Sequence, residues 1–360
     1  MLTTVCLGET MAMLTPEPGI ALEGADLLEL RNGGAESNVA LGFAAMGLDT
    51  HWVSRVGQDG FGARIVAELS AHGVGVSGVE ADAARPTGLY VKVPGTPSAP
   101  ASVIYYRSGS AASAMGPQLL DEPRVAELLE RTSLVHVSGI TAALSEDCLA
   151  LLETLLSRPR AFRVSFDVNW RAPLWRGRDR SVLRSLADRA DVVLVGRDEA
   201  EHAFGTGDEA ELRRLLPDPE VVVIKNEAVS AIALERGGAR TEVPALAVDV
   251  VEPVGAGDSF AAGYLSGLLL GLGQRASLRR GHVAAACTLT VNGDRGPLPA
   301  PSLLEEILGC SDQEWAATTV SSAGFATDRR PGRAGALAAV GADGDEAHRE
   351  GPMADGGAQA

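Results

Sequence analysis

Short apolar runs separated by helix-length stretches recur along most of this chain, and that alternation restricts the fold more than any single motif. TTVCLG, HWVSRVG, SLVHVSG, FRVSFDVN, VVLVG and VVVIKN are apolar enough to be buried on both faces. Helix-like stretches such as DGFGARIVAELSAHG and EDCLALLETLL lie among them, the first ending at a glycine stop. Buried strands alternating with helices specify a largely parallel sheet covered on both sides, the α/β class. Two segments break the rhythm. TGLYVKVP and ASVIYYRSG are short alternating runs with no long helix between them, joined through a Pro-containing loop. A small β lid is therefore expected beside the body, with strands within about 12–30 and 87–108. The body is expected to occupy residues 1–310 of the 360. From residue 311 the periodicity fades into Gly and Ala, and 311–360 is expected to be a disordered tail.

Composition removes several classes of function. With 31 Lys and Arg against 47 Asp and Glu, the net charge is -16, which disfavours nucleic acid and anionic membranes as partners. The start, MLTTVCLGETMAML, lacks the basic lead and long apolar core of a secretion signal, and no apolar stretch is long enough to span a bilayer. Cys6, Cys148, Cys287 and Cys310 are widely spaced, which fits reduced thiols and a cytoplasmic location. There is no HExxH and no cluster of His and Cys.

The most informative motif is VEPVGAGDSFAAGYLSGLLLGL, residues 251–272. A strand-like run, VPALAVDVV, stops at a turn. Gly255, Ala256 and Gly257 then lead into Asp258, Ser259 and an apolar helix. Glycines let consecutive N–H groups point at an anion, and a helix start adds its own unpaired donors. Asp258 beside such an anion hole is placed to take a proton from a hydroxyl, so the motif points to phosphoryl transfer to an alcohol. It is neither a Walker A loop nor a dinucleotide fingerprint. Elsewhere, FDVNWRAPLW places Asp167, Asn169 and Arg171 just past a strand end, where α/β sheets carry ligand groups. Strand alternation puts Tyr105 and Arg107 on one face and Tyr106 on the other. An aromatic wall beside a guanidinium suits an acidic sugar. Lys225, ending VVVIK, is placed to meet phosphates of a nucleotide.

VEPVGAGDSFAAGYL resembles the C-terminal signature of the ribokinase-like, or PfkB, carbohydrate kinases, and NGGAESNVALGFAAMGLDTHWVSRVGQDGFG resembles their N-terminal one. The resemblance spans roughly residues 3–305. It implies a three-layer α/β sandwich with a nine-stranded type of mostly parallel sheet and a β lid, where ATP and a sugar meet at the C-terminal strand edge. It also implies Asp258 as catalytic base, with Gly255, Ala256 and Gly257 as the anion hole. Within the family, FDVNWRAPLW is similar to the DxNxRxxLW segment of 2-keto-3-deoxygluconate kinases. That similarity implies substrate contacts from Gly33, Gly34, Asn38, Tyr90, Tyr105, Arg107, Arg171 and Asp294, with Arg107 and Arg171 at a carboxylate. The implied reaction is ATP- and Mg²⁺-dependent phosphorylation of 2-dehydro-3-deoxy-D-gluconate to its 6-phosphate. The alternatives are a kinase for fructose or ribose and a catalytically silent sugar-binding protein. Two departures stand out: Glu252 replaces the usual Asp, and an NxxE pattern would put its Asn at Gly196, leaving Glu199 to orient Mg²⁺ through water. The resemblance also makes the lid the expected place for a homo-oligomer.

Overall fold

A computed structural model describes residues 2–17, 19–93, 95 and 102–327. In chain order the first strands are β1 (Thr3–Leu7), β2 (Met11–Pro16), β3 (Leu28–Gly33), β4 (Asp49–Gly57), β5 (Gly75–Asp82), β6 (Leu89–Val93) and β7 (Ser102–Tyr106). They are followed by β8 (Leu134–Ser138), β9 (Arg163–Asp167), β10 (Val192–Gly196), β11 (Val221–Asn226), β12 (Ser230–Glu235) and β13 (Arg240–Pro244). The last three are β14 (Ala247–Val248), β15 (Thr318–Ser321) and β16 (Gly324–Thr327).

Nine strands form the main sheet in the order β13-β12-β11-β10-β9-β8-β1-β4-β5. Every pairing from β5 to β11 is parallel, and β12 and β13 add an antiparallel edge. Side chains alternate across the sheet as the pleat demands. Val5 and Leu7 enter one core with Phe166 and the helix Glu146–Ser157. Cys6 enters the other with Trp52, Phe43 and the helices Ala35–Ala45, Ala256–Leu269 and Gln274–Leu289. Both faces are thus dry, which is why these strands read as continuous apolar runs.

The chain leaves β1 for β4 on one side and later returns to β8 on the other. Between β1 and β8 the strand order therefore reverses, and crevices at such points collect ligands. The lid is a separate sheet of order β3-β2-β6-β7. The Pro-containing loop between β6 and β7 lies largely outside the described residues. No described helix is long and apolar enough to cross a membrane, and all four cysteines are free.

Two expectations need correction. The run VPALAVDVV is not one strand: Val243 and Pro244 close β13, Ala247–Val248 joins the small sheet β14-β15-β16, and the chain from Asp249 to Val254 is irregular. Val250 and Val251 are 57% and 51% exposed because each borders an open cleft. The expected tail also begins too early. Ser311–Thr327 folds as a short helix and the β15–β16 hairpin, and the rest of that segment, 328–360, lies outside the described residues. Ser311 and Glu314 form a reciprocal capping box, a sequence pattern present in SDQE. Trp315 anchors the segment: it is 2% exposed, its indole N–H donates to Pro244 O at 2.9 Å, and the Arg279 guanidinium lies 4.8 Å from its ring.

Trp315→Ala should therefore cost about 3–5 kcal/mol of stability in a denaturant titration, as for other fully buried tryptophans. A change within about 0.5 kcal/mol, the range of exposed positions, would show that the segment does not belong to the folded body.

Candidate active site

The C-terminal ends of the central strands and the inner face of the lid enclose a polar cavity of about 390 Å³. Asp258 sits on its wall in the first turn of the helix Ala256–Leu269. Gly255 caps that helix with φ +81°, a conformation that favours glycine. The first amide bond back to the cap runs from Ser259 N–H to Gly255 O at 2.9 Å. The amides of residues 256–258 precede it, so helix geometry leaves them to a ligand.

Asp258 is held by Asn38, whose side-chain amide donates to its Oδ2 at 2.9 Å. The protein packs round the carboxylate while leaving part of it open to the cavity. Desolvation, with the nearby Asp167 charge, pushes its carboxyl up to about 7 against the pull of Asn38, Lys225 and Arg171. That is where a proton acceptor works best near neutral pH.

Lys225, at the end of β11, points its ammonium at Asp167, 2.8 and 3.0 Å from the two carboxylate oxygens. Burial opposes its charge, but the carboxylates of Asp167 and Glu199 outweigh it and keep the pKa above the usual range. Its Nζ lies 3.9 Å from where a Cβ on Gly257 would be, so a cation stands beside the free amides. Glu199 accepts the Gly196 N–H at 2.8 Å, and its carboxyl is raised chiefly by burial.

On the lid side, Tyr90 and Tyr105 pack with ring centroids 5.8 Å apart, and Arg107 lies 5.6 Å from the Tyr105 ring. Gly33 allows the Tyr90 hydroxyl to approach: a Cβ there would sit 2.2 Å from it. A Cβ on Gly34 would meet the Glu9 carbonyl oxygen at 2.4 Å. Asp294 faces the same space, its carboxyl raised mainly by burial and opposed by Lys92 and Asn38.

Gly33, Gly34, Asn38, Tyr90, Tyr105, Arg107, Asn169, Arg171, Glu199, Lys225, Gly255, Gly257, Asp258 and Asp294 all line this one cavity. Two expected residues do not. Asp167 is 1% exposed and committed to Lys225, so it lies beneath the cavity floor and does not line the cavity. Ala256 lines a neighbouring cavity, and only its backbone belongs to the helix start. Arg107 is also less free than its sequence position implies. Its Nε donates to Glu9 Oε2 at 2.7 Å and its Nη2 to the same oxygen, so one arm already serves a buried carboxylate. Arg171 is the less committed cation, half exposed and 3.8 Å from Glu199.

Sequence reasoning missed Glu9 and Glu36. Glu9 pairs with Arg107 and accepts from Ser110. Glu36 is fully buried and accepts from the hydroxyls of Ser138 and Thr141, both at 2.6 Å. Glu9 follows β1 at the ligand edge of the sheet, which was a usable signal; nothing local marked Glu36. Also missed was the neighbouring cavity of about 480 Å³, walled by Ala228, Leu246, Val248, Val250, Phe260 and Ala286 among others. The two cavities share Lys225, Pro253 and Gly257. An apolar slot suited to a flat ring thus opens onto the free helix amides, and a polar pocket with a carboxylate lies on their other side.

Among the described residues no three His, Cys, Asp or Glu side chains form a metal cage. The donor set fits a different arrangement. Glu199 keeps one oxygen clear of the Gly196 amide, and three carboxylates, Asp167, Glu199 and Asp258, face two cations, Lys225 and the half-exposed Arg171. That excess of negative charge fits Mg²⁺ held mainly by phosphates and water, as this ion prefers.

A profile described as pfkB family carbohydrate kinase matches residues 1–301. A 2-dehydro-3-deoxygalactonokinase of Haloferax volcanii is 33% identical over 315 residues, covering 86% of this chain and 97% of that protein. A 2-dehydro-3-deoxygluconokinase of Thermoproteus tenax is likewise 33% identical, over 86% of this chain and 94% of its own. The crystal structure of a PfkB protein from Polaromonas sp. JS666 superposes with a TM-score of 0.73 at 33% identity, over 82% of this chain and 98% of that one.

A general base must be ionised to accept a proton, so with Asp258 in that role kcat/KM should rise with pH and level off above an apparent pKa near 7. Asp258→Asn should lower kcat by about 10²–10⁴-fold. The same carboxyl binds its proton more tightly folded than unfolded, so its contribution to stability falls as pH rises from the ordinary carboxyl range through about 7. Thermal unfolding should accordingly show Asp258→Asn gaining on the wild type at pH 8 relative to pH 4; a gap independent of pH would contradict the raised value.

Proposed function

Because the chain belongs to the pfkB family of carbohydrate kinases, we propose that it transfers the γ-phosphoryl group of ATP to the C6 hydroxyl of 2-dehydro-3-deoxy-D-gluconate, releasing ADP. The observation that carries this reading is the seam between the two cavities, where free helix amides and Lys225 stand between an apolar slot and a polar pocket containing Asp258. The slot takes the adenine, with Val248, Val250 and Phe260 against the ring. The amides of residues 256–258 and the Lys225 ammonium receive the phosphoryl charge as it develops. Asp258 accepts the hydroxyl proton while Asn38 holds its carboxylate in line. Glu199 would hold Mg²⁺ through water, and bound Mg²⁺ would supply neutralisation of the phosphate charge.

Substrate choice rests on the far end of the polar pocket. Arg171 is the cation available to a carboxylate, and Arg107 adds the N–H groups that Glu9 leaves free. Tyr90, Tyr105, Gly34 and Asp294 frame the polyol chain between that end and Asp258. The galacto epimer is a second reading, favoured because the Haloferax volcanii and Thermoproteus tenax relatives are named for different epimers at the same identity.

Coupled measurement of ADP release with 2-dehydro-3-deoxygluconate, its galacto epimer, gluconate, fructose and ribose tests the proposal. Turnover is expected with the ketodeoxy acids. Arg171→Ala should lower kcat/KM for them about 10- to 100-fold, the worth of a charged hydrogen bond, and leave any activity on neutral sugars nearly unchanged. Preference of the wild type for fructose or ribose would overturn the acid assignment while leaving the kinase; ligand binding without turnover of any sugar would indicate a silent sugar-binding protein.

A further inference from the structure

Glu252 plays no part in the reaction derived above, yet its carboxylate joins three parts of the molecule. Oε2 accepts the Gly293 N–H at 3.0 Å. Oε1 pairs with the ammonium of Lys92, which belongs to lid strand β6; the two side chains are 19% and 25% exposed. The Glu252 backbone N–H is bonded to Leu289 O at 3.3 Å, at the end of the helix Gln274–Leu289. Through one side chain the lid therefore reaches both the turn that sets up the free amides and the loop that carries Asp294.

Close approaches make that connection stiff. A Cβ on Gly255 would lie 2.4 Å from the Asp294 carbonyl oxygen, so the cap of the helix rests directly on the 292–294 loop. Gly293 has φ +123°, and Arg31 of β3 reaches the preceding carbonyl, Asn292 O, at 3.4 Å. A shift of this loop is thus transmitted to Gly255, and from Gly255 to the amides of residues 256–258. Length matters as well. Aspartate at position 252 would keep the charge but fall one methylene short of spanning from Gly293 to the lid.

Resting on the kinase reading of the site, we propose that Lys92 and Glu252 form a latch through which the seated lid holds the anion-hole turn in register. They are positioning residues: Lys92 also borders the polar pocket, but its ammonium is committed to Glu252, and neither side chain stands with the amides of residues 256–258 and Lys225 that receive the phosphoryl charge. When Lys92 is withdrawn, Glu252 keeps the Gly293 amide, and the turn from 251 to 255 loses its direct side-chain tie to the lid, leaving the indirect one through Arg31 and the 292–294 loop. Errors of an ångström at this point are costly, because the amides must meet charge that exists only in transit.

The test compares wild type, Lys92→Met, Glu252→Asp, the double variant and Lys92→Arg by amide hydrogen exchange and by kinetics with the best acceptor from the sugar panel. Lys92→Met and Glu252→Asp should speed exchange at residues 255–258 and 292–294, with core-strand protection unchanged to show that the fold is intact. Both should lower kcat about 10- to 100-fold with sugar KM moved by less than about threefold. The double variant should be no worse than either single, and Lys92→Arg should restore most of the loss. Unchanged exchange in those two segments would overturn the latch, as would a rise in sugar KM at constant kcat, which would assign Lys92 to sugar binding. If the wild type phosphorylates no sugar, the kinase reading fails by itself, and the exchange comparison alone decides whether the lid holds the turn.

Discussion

The hydrogen bond from Asn38 to Asp258 crosses 220 positions of sequence, and it exists because two helices lie almost in contact. One turn beyond Asn38 is Gly42, and one turn beyond Asp258 is Ala262; a Cβ on Gly42 would sit 2.6 Å from the Ala262 Cβ. Residues four apart share a helix face. The small pair at 42 and 262 therefore brings the functional pair at 38 and 258 together. Larger residues there would separate the helices and leave Asp258 without its amide. The carboxylate would then be buried among Asp167 and Glu199 with less to offset their charge.

Charge in the site is arranged by pairing. Lys225 is committed to Asp167, Arg107 to Glu9 and Lys92 to Glu252. Each cation is thereby fixed in place, because a partnered group in a half-buried setting has few alternatives. Pairing also limits what each can offer a ligand, and it leaves Arg171 as the more available positive group. The raised carboxyl of Asp258 follows from the same economy of space: desolvation and neighbouring acids act on it together.

Parts of this arrangement were legible in the chain alone. Continuous apolar strands alternating with helices gave away a parallel sheet buried on both faces, and the broken rhythm around Tyr90 and Tyr105 marked the lid. Gly255 to Asp258 announced themselves because a turn with φ > 0, free amides and an acid must be written with particular residues in a particular order. Misreadings arose where residue type was ambiguous. Val248, Val250 and Val251 look like strand core, but the first two border one cleft and the third another, and apolar residues carry no mark separating a wall from an interior. Trp315 went unread because one buried tryptophan and a capping box can anchor a short segment with no sustained period.

Sequence by itself determined what depends on local backbone chemistry: the strand and helix rhythm, the glycine cap, the acid in the first turn, and the aromatic face beside Arg107. Tertiary structure alone decided which charges remain free. Asp167 was placed correctly at a strand end, yet it became a partner for Lys225 because β9 and β11 flank β10 and deliver both side chains to one spot. Glu9 claimed Arg107, and Glu252 reached the lid, for the same reason. A charged side chain is fixed by whichever opposite charge the fold brings within a few ångströms, and that distance is set by strand order and helix packing.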